Sequence, residues 1–226
     1  MSLTTGRGPL SARPAGRFTA PMPAPVTYLE PHRRRVRGIK DDVTVIDSEQ
    51  ALLVHRPGCP PTYAFPAGDV DGVPAQPESD APGYVTVAWD VVGAWFEEDE
   101  QVFGHPRNPY HRVDCLRSGR RLRVEAAAAT LVDTADTLAV YETALEPRLY
   151  VDARFVRMEL LRPSTTQTYC PYKGTATYWT ACIGDIVLDD VAWSYEDPLP
   201  ESAPLQHFLS FDDSRVTVVH DLPSAD

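Results

Sequence analysis

From Arg34 onward the apolar positions of this 226-residue chain come in short runs parted by turn residues, the pattern of antiparallel β-structure. Val36 to Ile39 and Val43 to Ile46 flank Lys40-Asp41-Asp42, which predicts a hairpin with Asp in its turn. Ala51 to His55 predicts a third strand and Thr62 to Phe65 a fourth. Between them Pro57-Gly58-Cys59-Pro60-Pro61 must be a loop, and Pro66 ends the fourth strand. Asp71 to Gly83 is a connection rich in Pro, Gly, Ser and Asp. Beyond it Tyr84 to Trp89 and Val91 to Phe96 resume the strand pattern with aromatic and β-branched residues. Helix is scarce, with a short helical turn expected at Glu201 to Phe208. The fold class predicted is mostly β and antiparallel, with short loops.

The pattern repeats. Sliding the chain by 86 residues lays Arg34-Arg35-Val36-Arg37 on Arg120-Arg121-Leu122-Arg123, and Asp47-Ser48 on Asp133-Thr134. The same shift lays Leu52 on Leu138, Val54 on Val140, Pro61 on Pro147 and Val70 on Val156 without a gap. It also lays the alanine run Ala126 to Ala129, helical by propensity, on the Lys40 hairpin, so a hairpin turn is expected there. Further on, Val85-Thr86-Val87 matches Leu209-Ser210-Phe211, and Val92-Gly93-Ala94 matches Val216-Thr217-Val218, now at an offset of 124. The offsets differ by 38, so the second copy carries an extra segment, roughly residues 162–199. Two related β units are predicted: a shortened one over residues 34–114 with its linker, and a complete one over 115–226. Residues 1–33 contain Pro9, Pro14, Pro21, Pro23, Pro25 and Pro31, which forbid a useful helix. They read as an extended N-terminal arm, with Phe18, Met22, Val26, Tyr28 and Leu29 apolar enough to dock from about residue 17.

Composition narrows the partners. The net charge is −11, and the one cationic cluster, Arg33-Arg34-Arg35, is outweighed by acid elsewhere, so no nucleic acid is expected as partner. No apolar run is long enough to span a membrane, and no signal-peptide h-region opens the chain; a cytoplasmic protein is expected. Cys59, Cys115, Cys170 and Cys182 form no CxxC pair, so no metal site is expected and the thiols read as free. Oligomerisation through exposed β edges stays open. Against nineteen Arg the chain has two Lys, Lys40 and Lys173.

Lys173 lies in the extra segment, in Thr168-Tyr169-Cys170-Pro171-Tyr172-Lys173-Gly174, followed by Tyr178-Trp179 and Ala192-Trp193-Ser194-Tyr195-Glu196-Asp197-Pro198. A turn at Pro171-Tyr172 would bring the Cys170 thiol towards the Lys173 ammonium, which would activate it as a nucleophile; the alternative is a packed Cys170 and a solvated Lys173. Lys173 would serve as an imine-forming amine or an anion clamp. Gly174 would admit a ligand close to the backbone, or simply turn the chain. Tyr169, Tyr172, Tyr178, Trp179, Trp193 and Tyr195 would line a pocket or fill a core. Neighbours on a strand face opposite ways, so at most one of Tyr178 and Trp179 joins a given wall, and Trp193 is expected to anchor a loop. Just before the second unit, Tyr110, His111 and Arg112 are candidates to fold over the motif, with His111 as base and Arg112 as a second cation. His105, His111 and Asp114 match no zinc spacing. Glu97-Glu98-Asp99-Glu100 reads as a solvated face.

The Cys170-Pro171-Tyr172-Lys173-Gly174 string, with Tyr178-Trp179 and Ala192 to Pro200, resembles the bacterial family known as domain of unknown function 427. The tandem arrangement resembles its two-copy, actinobacterial form. The likeness takes in Trp95 to Glu100, His105 to Asp114 and the arm around Pro14 to Phe18. It implies a compact, tent-like β fold shared with zinc-bearing relatives whose cysteine pairs this chain lacks. The family also carries a nucleotidyltransferase label, but no Gly-Ser pair followed by spaced aspartates stands here to hold metal and triphosphate. The resulting expectation is a binding protein or enzyme for a small, anionic metabolite, without a cofactor. Cys170 and His111 would carry any catalysis, and Lys173, Tyr172, Gly174, Tyr110, Arg112 and Tyr178 would hold the ligand. The alternative is a non-catalytic protein-interaction or structural module.

Overall fold

The computed structural model describes residues 3–20 and 26–222. About half of the chain is strand (49%) and 8% is helical, all of it in short 3-10 turns, as the mostly β reading predicts. The chain divides into two compact units, Met1–His111 and Arg112–Asp226. Among the described residues no helix is long and apolar enough to cross a membrane.

In the first unit the strands are β1 (Tyr28–Pro31), β2 (Val36–Lys40), β3 (Val43–Ser48), β4 (Leu52–His55), β5 (Thr62–Pro66), β6 (Gln76–Pro77), β7 (Tyr84–Thr86), β8 (Ala94–Glu97) and β9 (Glu100–Val102). They form one sheet in the order β1-β4-β5-β7-β6 and another in the order β3-β2-β8-β9. The β2–β3 turn is the one expected, with Asp41 and Asp42 both left-handed at φ 49° and 63°, a conformation that short polar side chains tolerate. Strand β1 lies inside the segment read as an arm and pairs with β4. The expected strands at Tyr84–Trp89 and Val91–Phe96 are shorter, because a 3-10 turn at Trp89–Val91 separates β7 from β8. There Trp89 stacks on Trp95, with ring centroids 5.0 Å apart, and Trp95 is buried with Val36, Ile46, Leu53 and Phe65.

In the second unit the strands are β10 (Val113–Ser118), β11 (Leu122–Ala126), β12 (Ala129–Thr134), β13 (Thr137–Glu142), β14 (Arg148–Asp152), β15 (Leu161–Cys170), β16 (Gly174–Ile183), β17 (Ile186–Ser194), β18 (Phe208–Phe211) and β19 (Thr217–His220). The larger sheet runs β10-β13-β14-β18-β17-β16-β15, and the smaller β12-β11-β19. Alternation along β14 divides the core: Leu149 and Val151 join one buried cluster, and Tyr150 points to the other face and a second cluster. The alanine run is a hairpin turn, with Ala127 at φ 50°. Pro200–Leu205 forms the expected helical turn.

Pairing in the two units follows one scheme. The bridge Ile46↔Val70 recurs as Val132↔Val156, and Tyr28↔His55 recurs as Asp114↔Tyr141, each residue 86 positions later. Phe65↔Val85 recurs as Val151↔Leu209, its second partner 124 positions later. Only the last strand slips: Gly38↔Trp95 corresponds to Val124↔Val218, one residue short of that offset. The extra segment is an extension of the sheet. Beside β18 stand β17, β16 and β15, whereas beside β7 the first unit has only the short β6.

Candidate functional site

Strand β15 ends at Cys170 and β16 begins at Gly174, and these two residues face each other across the turn. Gly174 sits at φ 96°, and a Cβ there would meet the Asp197 carbonyl oxygen at 3.3 Å. The neighbour that requires glycine is therefore the chain itself. The 197–202 segment ties the turn down: Leu199 N donates to Lys173 O at 3.1 Å, and Ser202 Oγ donates to Tyr172 O at 3.1 Å. The turn is thereby folded inward, and Lys173 is only 9% exposed. Its Nζ donates to Glu142 Oε2 at the end of β13, and lies 5.8 Å from the centre of the Tyr195 ring.

These groups form one side of a cavity of about 380 Å³, within the size range of small-molecule sites. Tyr150, Tyr178, Trp193 and Tyr195 give it aromatic walls, and Val140, Leu145, Glu146, Arg148 and Asp212 complete it. Trp193 Nε1 donates to the Tyr150 hydroxyl at 3.0 Å, and the Arg148 guanidinium lies 5.3 Å from the centre of the Trp193 ring. Burial acts to lower the Lys173 pKa, but electrostatic interaction with Tyr150, Glu142 and Cys170 outweighs it, so the net shift is upward. At neutral pH Lys173 is thus an ammonium, suited to binding and unsuited to forming an imine. Burial pushes the Tyr150 and Tyr195 phenols up as well, so both stay protonated hydrogen-bond donors.

Of the residues singled out in the sequence, Lys173, Tyr178 and Tyr195 line this cavity, and so does Trp193. Tyr178 shares a hydrogen bond with Thr168 at 3.1 Å. Tyr172 is buried in the adjoining core cluster, and Cys170 packs against that cluster half-buried, outside the cavity lining. Arg112 is exposed and paired with Asp114 at 2.8 Å. Tyr110 and His111 belong to the first unit, where the Tyr110 hydroxyl donates to Glu30 at 2.9 Å and His111 is buried with its N–H on Asn108 O. Sequence reasoning missed Glu142, Arg148 and Tyr150, and read Trp193 as a loop anchor. Glu142 offered one signal: the repeat lays it on Arg56, a reversal of charge. In the first unit Arg56 pairs with buried Glu78, at 2.7 and 2.6 Å.

The first unit also buries Glu97, expected on a solvated face. The alternation of β8 puts it beside Trp95 on the inner side, 5% exposed. Tyr63 donates to it at 2.6 Å, Arg34 pairs with it at 2.5 Å and His32 Nε2 lies 3.2 Å away. Burial acts to raise its pKa, but the close His32 ring, the hydrogen bond from Tyr63 and the Arg34 guanidinium win, holding it at about 2.

The second unit is thus an antiparallel β domain with an aromatic cavity built around a buried ion pair. Residues 114–222 match the family described as domain of unknown function (DUF427), which supports that family for the second unit. The match does not extend into residues 1–111. No curated protein matches the chain.

Proposed function

We propose that the second unit binds a small metabolite in the cavity beside Lys173. The observation that supports this most directly is a buried ammonium, paired with Glu142, in the wall of a cavity with aromatic sides. An ion pair in such a place costs desolvation without adding reliable stability, so its retention fits a binding role better than a scaffolding one. The first unit is read as a related, tandem copy without this site. It lacks the β15–β16 hairpin, and Arg56 and Glu78 fill the corresponding place with a salt bridge of their own.

A thermal-shift screen of the full chain against planar and acidic metabolites tests the proposal, alongside a Leu145→Trp variant that plugs the cavity from its exposed rim. A ligand at a hundred times its Kd stabilises by about 2.7 kcal/mol, and the plugged variant is expected to lose that shift. A metabolite that stabilises both proteins equally binds elsewhere and refutes the site, and a panel without any shift counts against binding altogether.

A further inference from the structure

The first unit carries part of its own chain on the turn that, in the second unit, forms the cavity rim. Between β4 and β5 the turn Arg56–Cys59 is closed by Cys59 N donating to Arg56 O at 3.1 Å, with Gly58 left-handed at φ 79°. Between β13 and β14, each residue 86 positions later, Glu142–Leu145 is the same turn. Leu145 N donates to Glu142 O at 3.0 Å, and Ala144 is left-handed at φ 66°. Glu142 and Leu145 line the cavity, and Leu145 stands exposed at its edge.

In the first unit the N-terminal segment is docked on this turn. Gly58 N donates to Thr4 O at 2.9 Å, and Thr4 Oγ1 donates in return to Cys59 O at 3.4 Å. Thr4 and Thr5 are buried there, 3% and 7% exposed. A single threonine thus engages both main-chain groups that the turn leaves open, its carbonyl as acceptor and its hydroxyl as donor. In the second unit the corresponding groups are the Ala144 N–H and the Leu145 carbonyl. Among the described residues neither is hydrogen-bonded to the protein. Main-chain hydrogen bonds of this kind give affinity for a peptide, and an adjoining pocket gives selectivity for its side chains. We infer that the second unit takes a short peptide containing Thr or Ser, docked on Ala144 N–H and Leu145 O as Thr4 docks on Gly58 and Cys59. This rests on the cavity being a ligand site, and it gives the class of the ligand: its main chain lies on the rim, and a flanking side chain enters the cavity.

The test uses the full chain labelled with ¹⁵N-alanine and ¹⁵N-tryptophan. An Ala144→Gly variant assigns the Ala144 amide, and a Trp193→Phe variant assigns the Trp193 indole. The amide reports the docking turn; the indole, bonded to Tyr150 in the cavity wall, reports the cavity. One probe is the capped tetrapeptide Leu-Thr-Thr-Gly, which copies Leu3 to Gly6. The other has valine in place of its first threonine, the same shape without the hydroxyl. The threonine peptide is expected to move the Ala144 amide saturably, with a Kd on the order of millimolar, since it lacks the tether that holds the N-terminal segment on the first unit. The valine peptide is expected to bind about threefold more weakly, the worth of a modest hydrogen bond. An Ala144 amide that the threonine peptide does not move, or equal affinity for the two peptides, overturns the inference. The cavity then remains a binding site if a metabolite from the thermal-shift panel moves the Trp193 indole. If neither peptide nor metabolite moves either resonance, both readings fall.

Discussion

The ion pair between Lys173 and Glu142 makes the sharpest prediction. The two side chains are 11% and 9% exposed, so neither charge can recover its hydration if the other is removed. Taking away one member of a buried pair costs about 3–5 kcal/mol. The cavity leaves some access to water, which puts Glu142→Gln and Lys173→Met nearer the lower figure, about 3 kcal/mol each. For a domain of roughly 100 residues that corresponds to a fall in Tm on the order of 10–20 °C. The double variant should be less damaged than the two losses combined, because no orphan charge remains, and the cycle should return a coupling of at least about 1 kcal/mol. Urea unfolding followed by circular dichroism, with the four proteins at pH 7, measures this. The sign with pH follows from the raised Lys173 pKa. Its contribution is complete below the ordinary lysine value of 10.5 and is lost as pH climbs through the higher folded value. Lys173→Met should therefore lose part of the alkaline fall in stability shown by the parent. Single variants that each cost under about 0.5 kcal/mol and add without coupling would mean that the pair is hydrated like a surface one, and the buried-charge argument would fail.

Gly174→Ala is expected to cost about 1–3 kcal/mol, since it combines a left-handed residue with a close backbone contact at 3.3 Å; thermal melts with an unchanged Tm would refute the turn geometry. Glu97 has a depressed pKa of about 2, so its contribution is present above pH 4.5 and lost as pH falls towards 2. Glu97→Gln should be less stable by roughly 2–3 kcal/mol at pH 6 and should flatten the acid limb between those values. Tryptophan fluorescence from the Trp89–Trp95 stack reads this out, and an acid limb identical to the parent's would refute it.

Much of the fold is legible in the chain because hairpin formation is local. Asp41-Asp42 and the alanine run announce their turns within a few residues, and the 86-residue offset transfers one assignment to the other unit. Glu97 is the instructive failure. Its acidic neighbours point to solvent, yet it stands two residues from Trp95, and on a strand that separation puts the two on one face. Composition argued for solvent; the period-two pattern argued for burial, and it prevailed because Tyr63, Arg34 and His32 compensate the charge.

The sequence by itself determined the antiparallel β class and the prominence of Lys173, since these follow from periodicity, turn chemistry and composition. Only the tertiary structure decided what Lys173 meets. Its partners Glu142, Tyr150 and Tyr195 arrive from β13, from β14 and from just beyond β17. Which of them converge depends on the strand order β13-β14-β18-β17-β16 and on its register. That order arises from pairing between distant segments, and no local pattern encodes it. The same order turns Cys170 towards core packing and sets Tyr195 in the cavity wall beside Lys173.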